Sequence, residues 1–290
     1  MPPLPRHLQR DVFIWDLNNN DDRIPLGGMK CMPGTTHKDF RQMLDILVIT
    51  SADVVVYNSD GDEVLRDDTP LSSGDYTVSA DEVCVADEPV YTRAASITTG
   101  IRTKSFTDAV RARDGGCVVS KVMNPDIEIG EWLRFQAAHI FPLAYESQWK
   151  DGNYDRWITI DPPQGGKINS VQNGILLRSD VHLEWDTYRV SINPDNGYKI
   201  IYFGSDINGC AGNVLDQRLL EDPRCPPADL FRWHFRQAVL TNMRGEGEPL
   251  LELDFPPNSD MLGQILEAPK AAERLEFEFF DRLAHHVDIT

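Results

Sequence analysis

The sequence predicts an α+β fold, and three observations support this prediction. Short β-branched runs alternate with segments of helical periodicity. Turn sequences typical of hairpins occur at 58–61 (Asn-Ser-Asp-Gly) and 194–197 (Pro-Asp-Asn-Gly). Apolar residues make up 41% of the 290, which is enough for a packed core. No run approaches about 18 consecutive apolar residues, so we expect neither a membrane-spanning helix nor a membrane partner.

Residues 1–98 are predicted to form a small α+β unit. The order of strand, helix and hairpin in this unit resembles a ubiquitin-like β-grasp. The helix is expected to be capped by Thr36 or Asp39, because both precede its apolar periodicity. The predicted strands lie at 12–15, 54–57, 63–65 and 75–78, and the predicted helix lies at 38–47.

The rest of the chain is divided into a central domain at 99–205 and a mainly helical extension at 206–290, which we expect to pack on the central domain. A helix opening at 105–108 and ending at 114–116 begins the central domain. A hairpin with strands at 189–192 and 198–203 ends it. The extension is predicted to contain helices at 230–243 and 271–286.

The cysteines and the N-terminus indicate a reducing compartment. The five cysteines are odd in number, widely spaced and without a Cys-x-x-Cys pair, which disfavours both a disulfide framework and a four-cysteine zinc site. The first 13 residues hold no apolar run before their charges, so no secretory signal is expected. We therefore expect an intracellular protein, either cytoplasmic or nuclear.

The net charge of −18 argues against nucleic-acid binding by the chain as a whole, because phosphate contacts require lysine and arginine. The distribution of charge changes this conclusion. Residues 1–100 carry 8 basic and 17 acidic side chains, and residues 191–290 carry 9 and 17. Residues 101–190 carry 11 and 12, so the middle of the chain is nearly neutral and can still present a local basic patch. The acidic flanks are candidate surfaces for a basic protein partner.

The polar residues that stand out lie in the central segment. His139 follows two alanines and precedes a Pro turn, and Asn173 lies in a turn before an apolar run. His182 and Asp186 are four residues apart in a predicted helix, so they share one face. This set suits metal-assisted phosphodiester hydrolysis, which needs a divalent ion at the phosphate and a base of near-neutral pKa.

Four ordered blocks in this segment resemble the HNH endonucleases with a ββα-metal fold, in particular the branch frequent in fungal proteins. The blocks are Asp-Gly-Gly-Cys-Val-Val at 114–119, Ala-His-Ile-x-Pro at 138–142, Asn-Gly-Ile-Leu-Leu at 173–177 and His-x-x-x-Asp at 182–186. The resemblance implies His139 as general base and Asn173 as the brace of the active-site turn. It also implies His182 as a metal ligand or phosphate contact, and Asp186 as a second ligand. The implied ion is Mg²⁺, with Mn²⁺, Ni²⁺ and Zn²⁺ as alternatives, and the implied substrate is DNA rather than RNA.

Two departures from the family pattern leave alternatives open. Many active members carry Asp or His directly before the base as a metal ligand, and here that residue is Ala138. Cys117 is not part of a Cys-x-x-Cys pair, so no structural zinc is expected. The alternative function is a binding or regulatory scaffold that keeps the HNH fold with little or no cleavage. A third possibility is a metal site repurposed for other hydrolytic or biosynthetic chemistry.

The remaining charged residues of the segment receive secondary predictions. Arg178, Arg134 and Lys167 are candidate phosphate contacts. Asp180, in competition with Ser179, is expected to cap the helix that carries His182. Glu184 is expected to be solvated, because it lies away from the face shared by His182 and Asp186.

Overall fold

The computed structural model describes residues 6–18, 24–91, 103–245 and 247. The predicted helix at 271–286 lies outside these residues. The strands are β1 (Val12–Asp16), β2 (Gly27–Met29), β3 (Val48–Ile49), β4 (Val55–Tyr57), β5 (Gly74–Ser79), β6 (Cys84–Val85), β7 (Phe135–His139), β8 (Gly174–Arg178), β9 (Val190–Asn193) and β10 (Lys199–Tyr202). The α-helices are α1 (His37–Leu47), α2 (Lys104–Asp114), α3 (Glu146–Asp151), α4 (Ser179–Asp186), α5 (Gln217–Glu221) and α6 (Ala228–Met243). The mixed α+β architecture expected from the sequence is confirmed.

The N-terminal unit is built on a four-stranded sheet with the order β2-β1-β5-β4. The central pair β1–β5 is parallel, and both outer pairs are antiparallel. Helix α1 begins with a capping box, because the hydroxyl of Thr36 accepts from the Asp39 amide and the Asp39 carboxylate accepts from the Thr36 amide. Its buried face carries Phe40, Met43, Leu44 and Leu47. The strand predicted at 63–65 is reduced to a single bridge between Glu63 and Tyr57, next to a hydrogen bond from the Val64 amide to the Val56 carbonyl.

The central unit places two antiparallel strands directly before a helix. Strand β7 pairs with β8 over five residues, from Phe135 opposite Arg178 to His139 opposite Gly174, and α4 begins at the residue after β8. Helix α2 packs on both strands. It starts earlier than predicted, with Thr103 as its N-cap, and it ends at Gly115, whose φ of +63° favours glycine.

Helix α6 and the β9–β10 hairpin hold the two units together. Leu230, Phe231 and Trp233 of α6 belong to the core around β7, β8 and α4, whereas Phe235 and Met243 belong to the core of the N-terminal sheet. The buried carboxylate of Asp39 on α1 accepts from Lys199 Nζ at 2.6 Å and from Asn196 Nδ2 at 2.7 Å across the same boundary.

All five cysteines are free. Within the described ranges, no helix has the length and hydropathy that crossing a membrane requires.

A buried ion pair lies under the strand pair of the central unit. The side chains of Arg113 and Asp114, at the end of α2, are both fully buried and lie 2.6 Å apart. Asp114 accepts from the amide of Leu176 on β8, and Arg113 donates to the carbonyl oxygens of Val171 and Gly174. The pair thus fixes the backbone on both sides of Asn173.

We predict that Arg113→Met lowers the free energy of unfolding by about 3–5 kcal/mol, because it leaves the Asp114 carboxylate buried without its counter-charge. Urea denaturation measures the loss. The matched control is Arg66→Met, which removes an arginine from an ion pair with Asp45 in which both side chains are 48% exposed. That control is expected to cost less than about 1 kcal/mol. Equal losses in the two variants would contradict the assigned role of the buried pair.

Candidate active site

His139 is the last residue of β7, and three contacts fix its position. Its ring stacks on Phe106 of α2, with centroids 4.0 Å apart and planes inclined by 8°. Its carbonyl oxygen accepts from the indole N–H of Trp185 at 3.3 Å. Gly174 lies opposite it in β8, where an added Cβ would come within 2.5 Å of the Phe106 ring. A glycine at this position therefore allows α2 to approach the strands and support the imidazole.

Asn173 braces the turn that follows His139. Its side chain is inaccessible to solvent, its Oδ1 accepts from the Phe141 amide at 2.8 Å, and its Nδ2 donates to the Phe141 carbonyl at 3.1 Å and to the Ile168 carbonyl at 2.9 Å. Its own carbonyl accepts from the Ile140 amide. All these bonds go to backbone groups within or near the turn, so Asn173 holds the backbone at the end of β7 rather than facing solvent.

His182 and Asp186 meet on the inner face of α4. Nε2 of His182 lies 3.2 Å from Oδ2 of Asp186, and the two side chains are 6% and 17% exposed. The other ring nitrogen of His182, Nδ1, donates to the side-chain oxygen of Gln136 on β7. Because an amide oxygen only accepts, this bond leaves the lone pair of Nε2 directed towards the carboxylate when the ring is neutral.

The strand places His139 and the His182–Asp186 pair on different sides. Successive residues of a strand point to opposite faces, so Gln136 and Ala138 face α4 while His139 faces α2. Ala138 is fully buried and supplies no ligand. The described residues contain no group of three His, Cys, Asp or Glu side chains arranged to hold a metal ion.

The two-donor set nevertheless fits a divalent ion. Nε2 of His182 and Oδ2 of Asp186, which lie 3.2 Å apart, can both donate a lone pair to the same cation. The side-chain amide of Gln136 orients the His182 ring. An ion such as Mg²⁺ can be held by one or two protein groups and complete its shell with waters and substrate phosphate.

The three predicted phosphate contacts differ in their surroundings. Arg178 pairs with Asp180 at 2.6 Å, and Lys167 lies 3.7 Å from Asp161 while donating to the Ile158 carbonyl. Arg134 is exposed and makes no side-chain ion pair with any described residue.

Two secondary predictions for α4 are wrong. Asp180 does not cap the helix, because its carboxylate is engaged by Arg178 and no side chain caps the first turn. Glu184 is half-buried rather than solvated, because the face of α4 opposite His182 packs under the β9–β10 hairpin; burial raises the pKa of its carboxyl group.

Sequence reasoning missed Gln136 and the contacts made by His234. Gln136 lies two residues before Ala138 and therefore on the same face of the strand. Strand alternation could have indicated it. His234, from α6, stacks on Trp185 at 3.6 Å and lies 2.8 Å from the Ser191 hydroxyl. His234 therefore supports the Trp185 indole, which in turn donates to the His139 carbonyl. The contact between His234 and Trp185 joins distant segments, and the sequence does not indicate it.

Comparison with known protein families gives one match in each of the two units. Residues 117–193 match the family described as HNH endonuclease, and residues 9–85 match a domain of unknown function, DUF8573. Residues 117–193 therefore form a domain of the HNH endonuclease family, as the sequence blocks predicted. Searches of curated proteins and of solved structures gave no significant match.

The buried imidazole of His234 makes stability depend on pH. Its complete burial lowers its pKa from the usual 6.5 to about 3. The unfolded chain takes up this proton as the pH falls through 6.5, whereas the folded chain does so only near pH 3. As the pH is lowered from 6.5 towards 3, the free energy of unfolding should therefore decrease. This group contributes about 1.4 kcal/mol per pH unit to that decrease.

We predict that His234→Gln removes this contribution. Urea denaturation of wild type and variant between pH 7 and pH 4 measures it as the difference in slope, which separates it from the carboxylates common to both chains. Parallel curves would show that His234 does not carry the effect.

Proposed function

We propose that this chain is a divalent-metal-dependent endonuclease that hydrolyses phosphodiester bonds of DNA. The observation that carries the proposal is the arrangement at the end of β7. Asn173 fixes the turn directly after His139, and the helix that follows the partner strand holds the His182–Asp186 pair. We interpret β7, β8 and α4 as the ββα-metal module implied by the family, and the N-terminal sheet with α1 as a β-grasp-like domain.

In this proposal His139 is the general base. Its imidazole removes a proton from the attacking water, while the stacking on Phe106 and the bond from Trp185 to its carbonyl hold it in place. Asn173 positions His139 through the backbone and touches no substrate.

His182 and Asp186 would hold the ion through Nε2 and Oδ2, with Gln136 fixing the tautomer of His182. When bound, a divalent ion neutralises phosphate charge and stabilises the leaving oxygen. Mg²⁺ is proposed first, and Mn²⁺, Ni²⁺ and Zn²⁺ are the other ions to test.

Of the three phosphate contacts predicted from the sequence, Arg134 has the strongest support, because it is exposed and no carboxylate among the described residues pairs with it. Arg178 and Lys167 remain candidates, and each would leave its carboxylate partner in order to bind a phosphate. The five free cysteines support the proposal that the protein acts in a reducing compartment inside the cell.

Two observations favour a second candidate, a scaffold that keeps the HNH fold without cleavage. Ala138 replaces a ligand on the face of β7 that meets α4, and the chain carries a net charge of −18. In that case the acidic flanks would bind a basic protein partner. Cleavage itself distinguishes the two functions.

We predict that the purified chain nicks supercoiled plasmid with at least one of Mg²⁺, Mn²⁺, Ni²⁺ or Zn²⁺, and not in EDTA. His139→Ala should slow nicking by at least about 100-fold, because it removes the base. His37→Ala, on α1 of the N-terminal unit, is the matched control and should nick at the wild-type rate. Folded wild-type protein that nicks with none of the ions would overturn the nuclease proposal in favour of the scaffold.

We predict that Gln136→Leu weakens metal binding by about 10- to 100-fold, because it removes the acceptor that orients His182. Titration calorimetry with Mn²⁺ measures this without relying on cleavage. Gln136→Glu keeps an oxygen acceptor and should restore affinity. Gln217→Leu, on the exposed helix α5, is the control. Unchanged affinity in Gln136→Leu would remove Gln136 from the site.

A further inference from the structure

A small cavity between the N-terminal unit and the central unit concentrates positive charge. Its lining includes Arg6, Arg10, Lys30 and Arg189, together with Phe203 and Gly204 at the end of β10. No Asp or Glu is among the described residues that line it. The chain as a whole has 46 acidic and 28 basic residues, so a described lining with four basic residues and no acidic one differs from the overall composition.

Two of these arginines are oriented by neutral acceptors. Arg6 donates to the Asn242 side chain and to the Thr187 carbonyl, and Arg10 donates to the carbonyls of Gly245 and Asn242. These acceptors are uncharged groups that orient the two guanidinium groups. They also tie the chain before β1 to the end of α6 and to the residue after Asp186.

Lys30 and Arg189 supply the cations available to a ligand. Neither side chain forms a hydrogen bond or an ion pair with another residue of the described ranges, and both are partly exposed. The charge of Arg189 acts on Glu184, but the two do not approach within ion-pair distance.

We propose that this cavity binds an oxyanion, namely a phosphate of the nucleic-acid backbone, and so makes the N-terminal unit part of the DNA-binding surface. The inference rests on the proposed nuclease function. The cavity has a volume of about 20 Å³, which limits the size of the group that can enter it. A water needs roughly 10–15 Å³ on the same measure, so one or two phosphate oxygens fit and a base or sugar stays outside.

The position of the cavity relates it to the candidate active site. Arg189 is three residues beyond Asp186 in the sequence, so their Cα atoms are at most about 11 Å apart. One strand of a DNA duplex carries a phosphate for about every 3.4 Å of axis, so this distance spans roughly three phosphates. Arg134 and Arg178 lie at the opposite end of α4, whose first amide bonds the Arg134 carbonyl. Cations thus flank both ends of the helix that carries His182 and Asp186.

The experiment measures duplex binding in EDTA, so that it does not depend on cleavage. Fluorescence anisotropy of a labelled 20-base-pair duplex between 50 and 200 mM salt gives the slope of log K against log salt. The double variant Lys30→Gln/Arg189→Gln should reduce the magnitude of this slope by about 2, because each lost phosphate contact contributes about 0.9. Arg6 and Arg10 stay unchanged, because they hold the end of α6.

The matched control is Lys38→Gln/Arg218→Gln, which removes the same charge from the N-terminal unit and from α5. It should leave the slope unchanged, and thermal melts should show all chains folded. Equal slopes in the cavity variant and wild type, or an equal decrease in the control, would overturn the proposal.

A second measurement separates a backbone phosphate from a free anion. Titration with inorganic phosphate, followed by the amide resonance of Gly204, should saturate in wild type and not in the double variant. Phosphate binding together with an unchanged salt slope would overturn the assignment to nucleic acid. The expected slopes without any nicking would refute the nuclease activity while leaving the cavity assignment intact.

Discussion

The buried pair of Arg113 and Asp114 is the interaction on which the rest of the candidate site depends. It lies at the end of α2, and its hydrogen bonds reach Val171, Gly174 and Leu176. These residues flank Asn173 and begin β8. A charge pair without solvent contact is tolerated only when its remaining hydrogen-bonding capacity is satisfied, and here backbone groups satisfy it. The buried pair therefore holds the backbone around Asn173 independently of the side chains of the candidate site.

From this anchor the site is held through backbone atoms in successive layers. Asn173 bonds the backbone at Phe141, and the His139 carbonyl accepts from Trp185, which in turn stacks on His234 of α6. Residues far apart in the chain thus converge behind one imidazole. Precise placement of a reacting group requires such supporting contacts, because small displacements cost catalytic rate. The same contacts would also make a rigid scaffold, so both candidate functions would use the same backbone framework.

The charge of the chain is organised locally rather than globally. Ion pairs with neighbouring carboxylates partly neutralise Arg178, at the start of α4, and Lys167. Within the described ranges, Arg134 before the helix and Lys30 with Arg189 beyond it form no such pair. Because the last two come from different units, a continuous binding surface would form only when the N-terminal unit is docked. The Asp39–Lys199 ion pair and helix α6 maintain that docking.

The sequence by itself determined the local elements and the family of the segment at 117–193. Helical periodicity, capping residues and turn residues act over a few positions, so α1, α6 and the β9–β10 hairpin were predicted within a few residues. The ordered blocks around His139, Asn173 and His182 gave the family. Only the tertiary structure decided what depends on distant contacts, namely the burial of Glu184, the bond from His182 to Gln136 and the cavity at Arg189. Such contacts join side chains from separate elements, and no local pattern specifies them.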